Sequence, residues 1–89
     1  MQLALSFGTK KLFSTYLEND NKHVTASRVL FSLQSSHPDI FKKICDEKGR
    51  LRQSLTVLVN GENIRYRGGF ESELREGDEV YIIPLITGG

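Results

Sequence analysis

"SLTVLVNGENIRY", residues 54–66, is the stretch on which the fold reading turns. Leu55, Val57 and Val59 alternate with Thr56 and Leu58, the period of a strand with one buried face. The run then stops on Asn60-Gly61. A two-residue hairpin turn of the favoured type needs φ > 0 at both central positions, and Asn-Gly meets that need best. A hairpin is therefore expected here, with "ENIRYRGG" (62–69) returning as a short strand.

Further along the chain, "FESELREGD" carries a turn at Gly77-Asp78, and "EVYIIPL" is expected to be the last strand, with Val80 and Ile82 facing the core. Pro84 has no amide proton to donate, so pairing should end there or the strand should lie at an edge. Toward the N-terminus, "QLALSFG" alternates, with Leu3, Leu5 and Phe7 on one side and Gln2, Ala4 and Ser6 on the other. A turn is expected at Gly8-Thr9. "KKLFSTYLEND" fits two patterns. Leu12, Phe13, Tyr16 and Leu17 would share a helix face, but Phe13, Thr15, Tyr16 and Leu17 also suit a strand. The strand is preferred because it gives the first strand a hairpin partner. "ENDNKH" (18–23) reads as a polar loop.

Between these strand regions the period changes. Thr25 is a candidate N-cap with Val24 placed as a hydrophobic staple, and Ala26, Val29, Leu30 and Leu33 recur at helical spacing. Pro38 opens a second, short helix with Ile40, Phe41, Ile44 and Cys45 as its apolar stripe. Lys42, Lys43 and Lys48 fall late in it, where cations suit the negative end of the helix dipole, and Gly49 is the expected stop. The order of strand, strand, helices and three strands is an α+β plan, a mixed sheet of four to five strands packed on one main helix plus a short one.

Composition narrows the function. Eighty-nine residues make one domain, with a formal net charge of +1 and a single cysteine. No apolar run approaches the roughly 20 residues that span a bilayer. The N-terminal basic residues follow the apolar stretch, the reverse of a secretory signal. One cysteine cannot form an internal disulfide, and the expected setting is cytoplasmic. The basic residues Lys42, Lys43, Lys48, Arg50, Arg52, Arg65 and Arg67 could form a nucleic-acid patch. Asp39, Asp46, Glu47 and Glu62 interleave with them, so a solvated face is preferred. His23, His37 and Cys45 lack metal-ligand spacing, so no metal site is expected. Cys45 is read as core-facing and both histidines as loop residues. There is no nucleophile constellation and no phosphate-binding loop, and the double glycine in "RGGF" reads as a bend. No catalytic residues are assigned.

Two features point to a partner. If Val57, Val59, Val80 and Ile82 face inward, then Leu58, Tyr81 and Ile83 face outward, with Ala4 available beside them. An exposed apolar cluster of this kind marks a contact surface, or else is covered by loops or a second copy. The sequence also ends on "PLITGG". A terminal diglycine arises by chance, or in a cut chain, or because it threads a narrow tunnel. Its lack of side chains suits the last, and its α-carboxylate is ionised at neutral pH, with a pKa of about 3.5.

Val59-Asn60-Gly61, then Gly77-Asp78-Glu79-Val80, then Ile83-Pro84 ahead of Thr87-Gly88-Gly89 form an ordered set over the C-terminal third. This set resembles the ubiquitin-like sulfur carriers, the family of the molybdopterin-synthase small subunit and the thiamine-pathway carrier. "GRLRQSLTVLVNGENIRYRGG" looks most like the cysteine-synthase type. "KKLFSTYLENDNKH" departs from the family pattern. The resemblance implies a β-grasp domain over residues 1–85 and a flexible tail over 86–89. It implies an E1-like activating enzyme that uses ATP to adenylate Gly89 and a sulfur donor to convert it to a thiocarboxylate. A sulfur-accepting biosynthetic enzyme would then take the sulfur. Gly88, Thr87 and Ile86 would be the threaded segment, and Ile83 a docking residue beside Leu58 and Tyr81. No bound cofactor, nucleic acid or membrane is expected. The alternative is a ubiquitin-like protein modifier, in which the same tail is joined to lysines by isopeptide bonds. A plain binding module, for example for RNA, is a third reading. A β-grasp ferredoxin is excluded, since its cluster needs four cysteines. The metabolite that receives the sulfur stays open, with a cysteine-type amino acid favoured.

Overall fold

The computed structural model describes residues 2–16, 24–52 and 54–83. Its strands are β1 (Gln2–Phe7), β2 (Lys10–Thr15), β3 (Thr56–Val59), β4 (Glu62–Asn63) and β5 (Glu79–Ile83). Its α-helices are α1 (Ala26–Ser36) and α2 (Pro38–Ile44). Two short 3₁₀ turns, Ile64–Arg67 and Gly69–Glu71, fill the connection from β4 to β5. One sheet runs in the order β2-β1-β5-β3-β4, with β1 and β5 parallel and the other neighbours antiparallel. This is the expected α+β, β-grasp arrangement with a mixed sheet.

The alternating patterns are realised in register. Val57 pairs with Ile82 and Val59 with Val80, and all four are buried. Leu5, also buried, pairs with Val80 across the parallel seam. Against this apolar face lie Val29, Leu30 and Leu33 of α1 and Ile40 and Ile44 of α2. Burying side chains of this kind contributes about 1.5–3 kcal/mol each, which makes the sheet–helix layer the main stabilising feature of so short a chain. Thr25 caps α1 as expected, its hydroxyl oxygen accepting from the Arg28 amide at 3.2 Å. Val24 beside it is buried. Pro38 occupies the first turn of α2, and Lys42 and Lys43 its last.

β2 is a strand, as preferred, and the structure explains its mixed signal. The register against β1 slips between the Leu5–Phe13 and Ser6–Lys11 pairs, so Leu12 is an extra residue on β2. A bulge of this kind breaks the alternation. Leu12 and Phe13 are thus half-buried in succession, a pattern that imitates a helix face.

Two expectations need correction. Residues 62–69 do not return as one strand. Only Glu62 and Asn63 pair with β3, and then the Asn63 side chain accepts from the Arg65 amide at 2.9 Å and starts a 3₁₀ turn. Gly68, at φ 101°, closes that turn by donating its amide to the Ile64 carbonyl. Ile64, 1% exposed, anchors the turn in the core. Local side-chain capping and a buried anchor outcompete the β-propensity of "NIRY". Nor does α2 run on to Gly49. It ends at Ile44, and Cys45 is an extended C-cap bridged to Leu51. Gly49 instead supplies a positive φ of 77° in the loop held by Asp46. The expected loop at 18–23 and the effect of Pro84 lie outside the described residues.

Candidate docking face and tail root

β5 joins the two expected functional parts. Its burial alternates: Val80 and Ile82 point into the core, and Glu79, Tyr81 and Ile83 point away from it. Register places Leu58 opposite Tyr81 and Thr56 opposite Ile83 on the same outward face. Tyr81 is 37% exposed, Ile83 is 39% exposed and Leu58 is half-buried. The three residues expected from the sequence to form a docking surface are therefore assembled on one face of two paired strands. Ala4 is half-buried and pairs with Glu79 on the neighbouring strand. The Tyr81 hydroxyl donates to a Glu79 carboxylate oxygen at 3.3 Å, which biases the ring along the strand.

A polar clamp holds the far end of these strands. Asn60 adopts φ 53°, a left-handed conformation that Asn tolerates better than other side chains, and Gly61 follows at 85°. The Asn60 side chain then reaches across to the start of β5. Its amide donates to Asp78 at 2.9 Å and its carbonyl oxygen accepts from the Glu79 amide at 2.9 Å. The other Asp78 carboxylate oxygen accepts from the Arg75 amide at 2.8 Å. Asp78 is 9% exposed, so its charge lies in a setting where these bonds count. The sequence reading used both residues as motif positions without seeing that they hold each other. Only their shared register reveals it.

The remaining candidates separate. Gly89, Gly88, Thr87 and Ile86, together with His23, lie outside the described residues. His37 caps both helices and its ring nitrogen lies 3.0 Å from the Ser36 hydroxyl. Cys45 is 4% exposed. Burial pushes its thiol pKa up, Asp46 adds to the rise, and Arg52 opposes it. A protonated, enclosed thiol is a poor nucleophile. Among the described residues no cluster of three or more His, Cys, Asp or Glu side chains could hold a metal ion. Among them also, no helix is long and apolar enough to cross a membrane.

The sequence pattern of the ThiS family matches residues 9–89, which takes in β2 to β5 and the diglycine. The chain belongs to the ThiS family. The relationship reaches well beyond the C-terminal third from which it was first read. An Archaeoglobus fulgidus protein, whose name gives it an inferred sulfur-carrier role, is 37% identical over 73 residues, covering 82% of this chain and 83% of that one. The sulfur carrier protein CysO of Mycobacterium tuberculosis is 30% identical over 67 residues, covering 73% of this chain and 72% of that one. Among solved structures, the BexX/CysO complex of Amycolatopsis orientalis superposes with a TM-score of 0.69 at 26% identity, covering 98% of this chain and 99% of the matched chain. Small archaeal modifier protein 1 of Methanosarcina acetivorans gives 0.72 at 28% identity, covering 98% and 95%. The ThiS-family assignment and the β-grasp fold thus agree with the expectations drawn from the residues, CysO-like relatives included.

Proposed function

We propose that this ThiS-family protein is a sulfur carrier. In this reading residues 1–85 are a rigid docking body and residues 86–89 an arm. An E1-like activating enzyme adenylates the tail: the Gly89 carboxylate attacks the α-phosphate of ATP and pyrophosphate leaves. Sulfide from a donor then attacks the acyl carbon and AMP leaves, giving a C-terminal thiocarboxylate. A second enzyme in the cytoplasm takes the sulfur into a metabolite, with a cysteine-type amino acid favoured. The protein itself is a co-substrate and no catalyst, and ATP is used by its partner.

The observation that carries the proposal is the outward set of Leu58, Tyr81 and Ile83, whose last member immediately precedes the residues leading to Gly88 and Gly89. An arm that enters an enzyme loses conformational freedom. An apolar face at its root offsets that cost by burying surface in the same event. The sulfur-carrier name of the CysO relative and the structure of CysO in complex with BexX support the reading.

The test is mass spectrometry after incubation with the activating enzyme, ATP and a sulfide source. The expected product gains the mass difference of one sulfur-for-oxygen exchange, and a chain lacking Gly89 gains nothing while staying folded. An unchanged mass with an activating enzyme that charges a known carrier would refute the proposal. A second reading takes its support from the likeness to a protein named as a modifier, from Methanosarcina acetivorans. In that reading the adenylate of this chain ends as an isopeptide bond to lysine. Lysine-linked tail peptides in digests, without free thiocarboxylate, would favour it.

A further inference from the structure

The net charge of +1 conceals a separation of charge that only the folded chain reveals. β5 ends at Ile83, so the segment leading to the tail begins at that end of the sheet. Phe7, the last residue of β1, pairs with Ile82, and the Gly8 amide donates to the Ile82 carbonyl at 2.8 Å. This brings the β1–β2 hairpin to the tail root, and with it Lys10, the register partner of Phe7, and Lys11. The end of α2 arrives at the same place, since the Lys43 ammonium sits 5.9 Å from the centre of the Phe7 ring. Lys42 precedes it. The Arg52 amide returns to the Ile44 carbonyl at 3.0 Å, and β3 starts four residues later opposite Ile83. The loop carrying Lys48, Arg50 and Arg52 thus belongs to this end too.

Among the described residues this half holds seven Lys and Arg against three carboxylates, Asp39, Asp46 and Glu47. All seven cations are exposed. Ion pairing there, among the described residues, is the single Arg50–Asp46 contact at 3.8 Å. The opposite half, where β1 begins and the 3₁₀ turns lie, holds four arginines against six carboxylates. One of those carboxylates, Glu62, pairs with Arg67 at 3.8 Å. Of the four carboxylates that interleave with the cations in the sequence, the fold moves Glu62 to the other half and adds Lys10 and Lys11 to the basic end, which leaves a net excess of cations there.

We propose that the basic end forms a collar around the tail root that docks on an acidic protein surface bordering the opening of an enzyme that receives the tail. The inference rests on the carrier reading above and names the chemistry of the partner in it. The six residues 84–89 can span at most roughly 20 Å when fully extended. A carboxylate delivered into a catalytic chamber by so short an arm holds the body against the rim of the opening, and the collar is the part of the body that meets it. Opposite charges on the rim raise the rate of encounter and orient the body with its tail foremost. The apolar face of Leu58, Tyr81 and Ile83 then supplies the contact that slows release.

The test measures adenylation kinetics of the full chain with its activating enzyme. Lys42→Glu/Lys43→Glu is expected to raise KM about tenfold at about 0.05 M salt, with the difference falling below about threefold at about 0.5 M. Lys42→Gln/Lys43→Gln should give a smaller rise of the same form. Arg65→Glu/Arg75→Glu, reversing charges at the other end, should change KM less than about twofold. Equal effects from the two ends, or a rise indifferent to salt, would overturn the collar. A second arm is independent of turnover. The ¹⁵N-labelled protein is titrated with a short poly-glutamate peptide and, separately, with an oligo-uridine RNA. Amide shifts confined to the hairpin, α2 and the 46–52 loop with the peptide support the proposal. No localised shifts, or RNA binding at the same residues about tenfold tighter than the peptide, overturn it. If neither wild type nor variants are adenylated, the carrier reading fails, while the titration still decides whether the end is an acid-binding surface.

Discussion

Asn60 provides the sharpest test of how this fold is held at its hairpin. Replacing it with Gly keeps the left-handed φ of 53° available and removes both side-chain hydrogen bonds, to Asp78 and from the Glu79 amide. A bond to a charged partner contributes about 1.5–3 kcal/mol and a neutral one about 0.5–1.5. Asn60 itself is exposed, so the lower limits apply, and Asn60→Gly should cost about 2 kcal/mol. Asn60→Ala loses the same bonds and must also hold a β-carbon at positive φ, which adds about 1 kcal/mol. The total of about 3 kcal/mol is a large share of the roughly 4–13 expected for a chain of this length. In equilibrium urea unfolding, with a slope of about 1 kcal/mol per molar, the midpoint should fall by about 2 M for Gly and about 3 M for Ala. Asn60→Asp separates the two causes. It tolerates the turn but sets a second carboxylate where a donor lay 2.9 Å from Asp78. It should be at least as unstable as the Gly variant at neutral pH. Ala as stable as Gly would refute the backbone argument. Asp equal to wild type at neutral pH would refute the clamp.

Other consequences can be measured in the same way. Tyr81→Ala together with Leu58→Ala should weaken association with the activating enzyme at least about tenfold while moving the thermal midpoint by only a few degrees, because the outward face is half-open; binding and melting curves check both. Val57→Ala, at a fully buried site on β3, should cost about 1–3 kcal/mol in urea unfolding. The Arg50 amide above all holds the Asp46 carboxyl below its ordinary 3.8; desolvation opposes it, and the Lys48 amide and the Arg50 and Arg52 charges add to the lowering. The stability that Asp46 contributes is therefore complete above that value and is lost as pH falls through the depressed one. The gap between wild type and Asp46→Asn in acid titrations should close only below about pH 3.8. The Cys45 thiol is raised above 9.0, so its contribution is complete below that pH and falls as the medium becomes more alkaline and the unfolded chain ionises first. At neutral pH its alkylation by iodoacetamide should occur only on opening of the fold and slow with added stabiliser, and labelling at the rate of a free thiol would contradict its enclosure.

The parts legible in the sequence are those governed by near neighbours. Val57 and Val59 ahead of Asn60-Gly61 announced a hairpin because strand period and turn chemistry are local. Thr25 announced a helix start because a cap bonds three residues away. The outward position of Leu58, Tyr81 and Ile83 followed from alternation alone. The family resemblance rested instead on particular residues, Asn60-Gly61, Gly77-Asp78 and the diglycine, in a fixed order. What was misread depended on competition at longer range. The 3₁₀ turn at Ile64–Arg67 replaced a strand because Ile64 found a place in the core. α2 stopped early because Cys45 was drawn into a bridge with Leu51.

Sequence alone determined the hairpin, the helix caps and the inward and outward faces of the strands, since each is written in spacings of a few residues; the family was carried by residue identities along the chain. Tertiary structure decided the rest. It set Asn60 against Asp78 across 18 positions, made β1 and β5 parallel neighbours, and gathered lysines from a hairpin, a helix and a loop to the root of the tail. The reason is that strand order and the packing of helices on a sheet are set by burial summed over the whole chain, and no local window contains that sum.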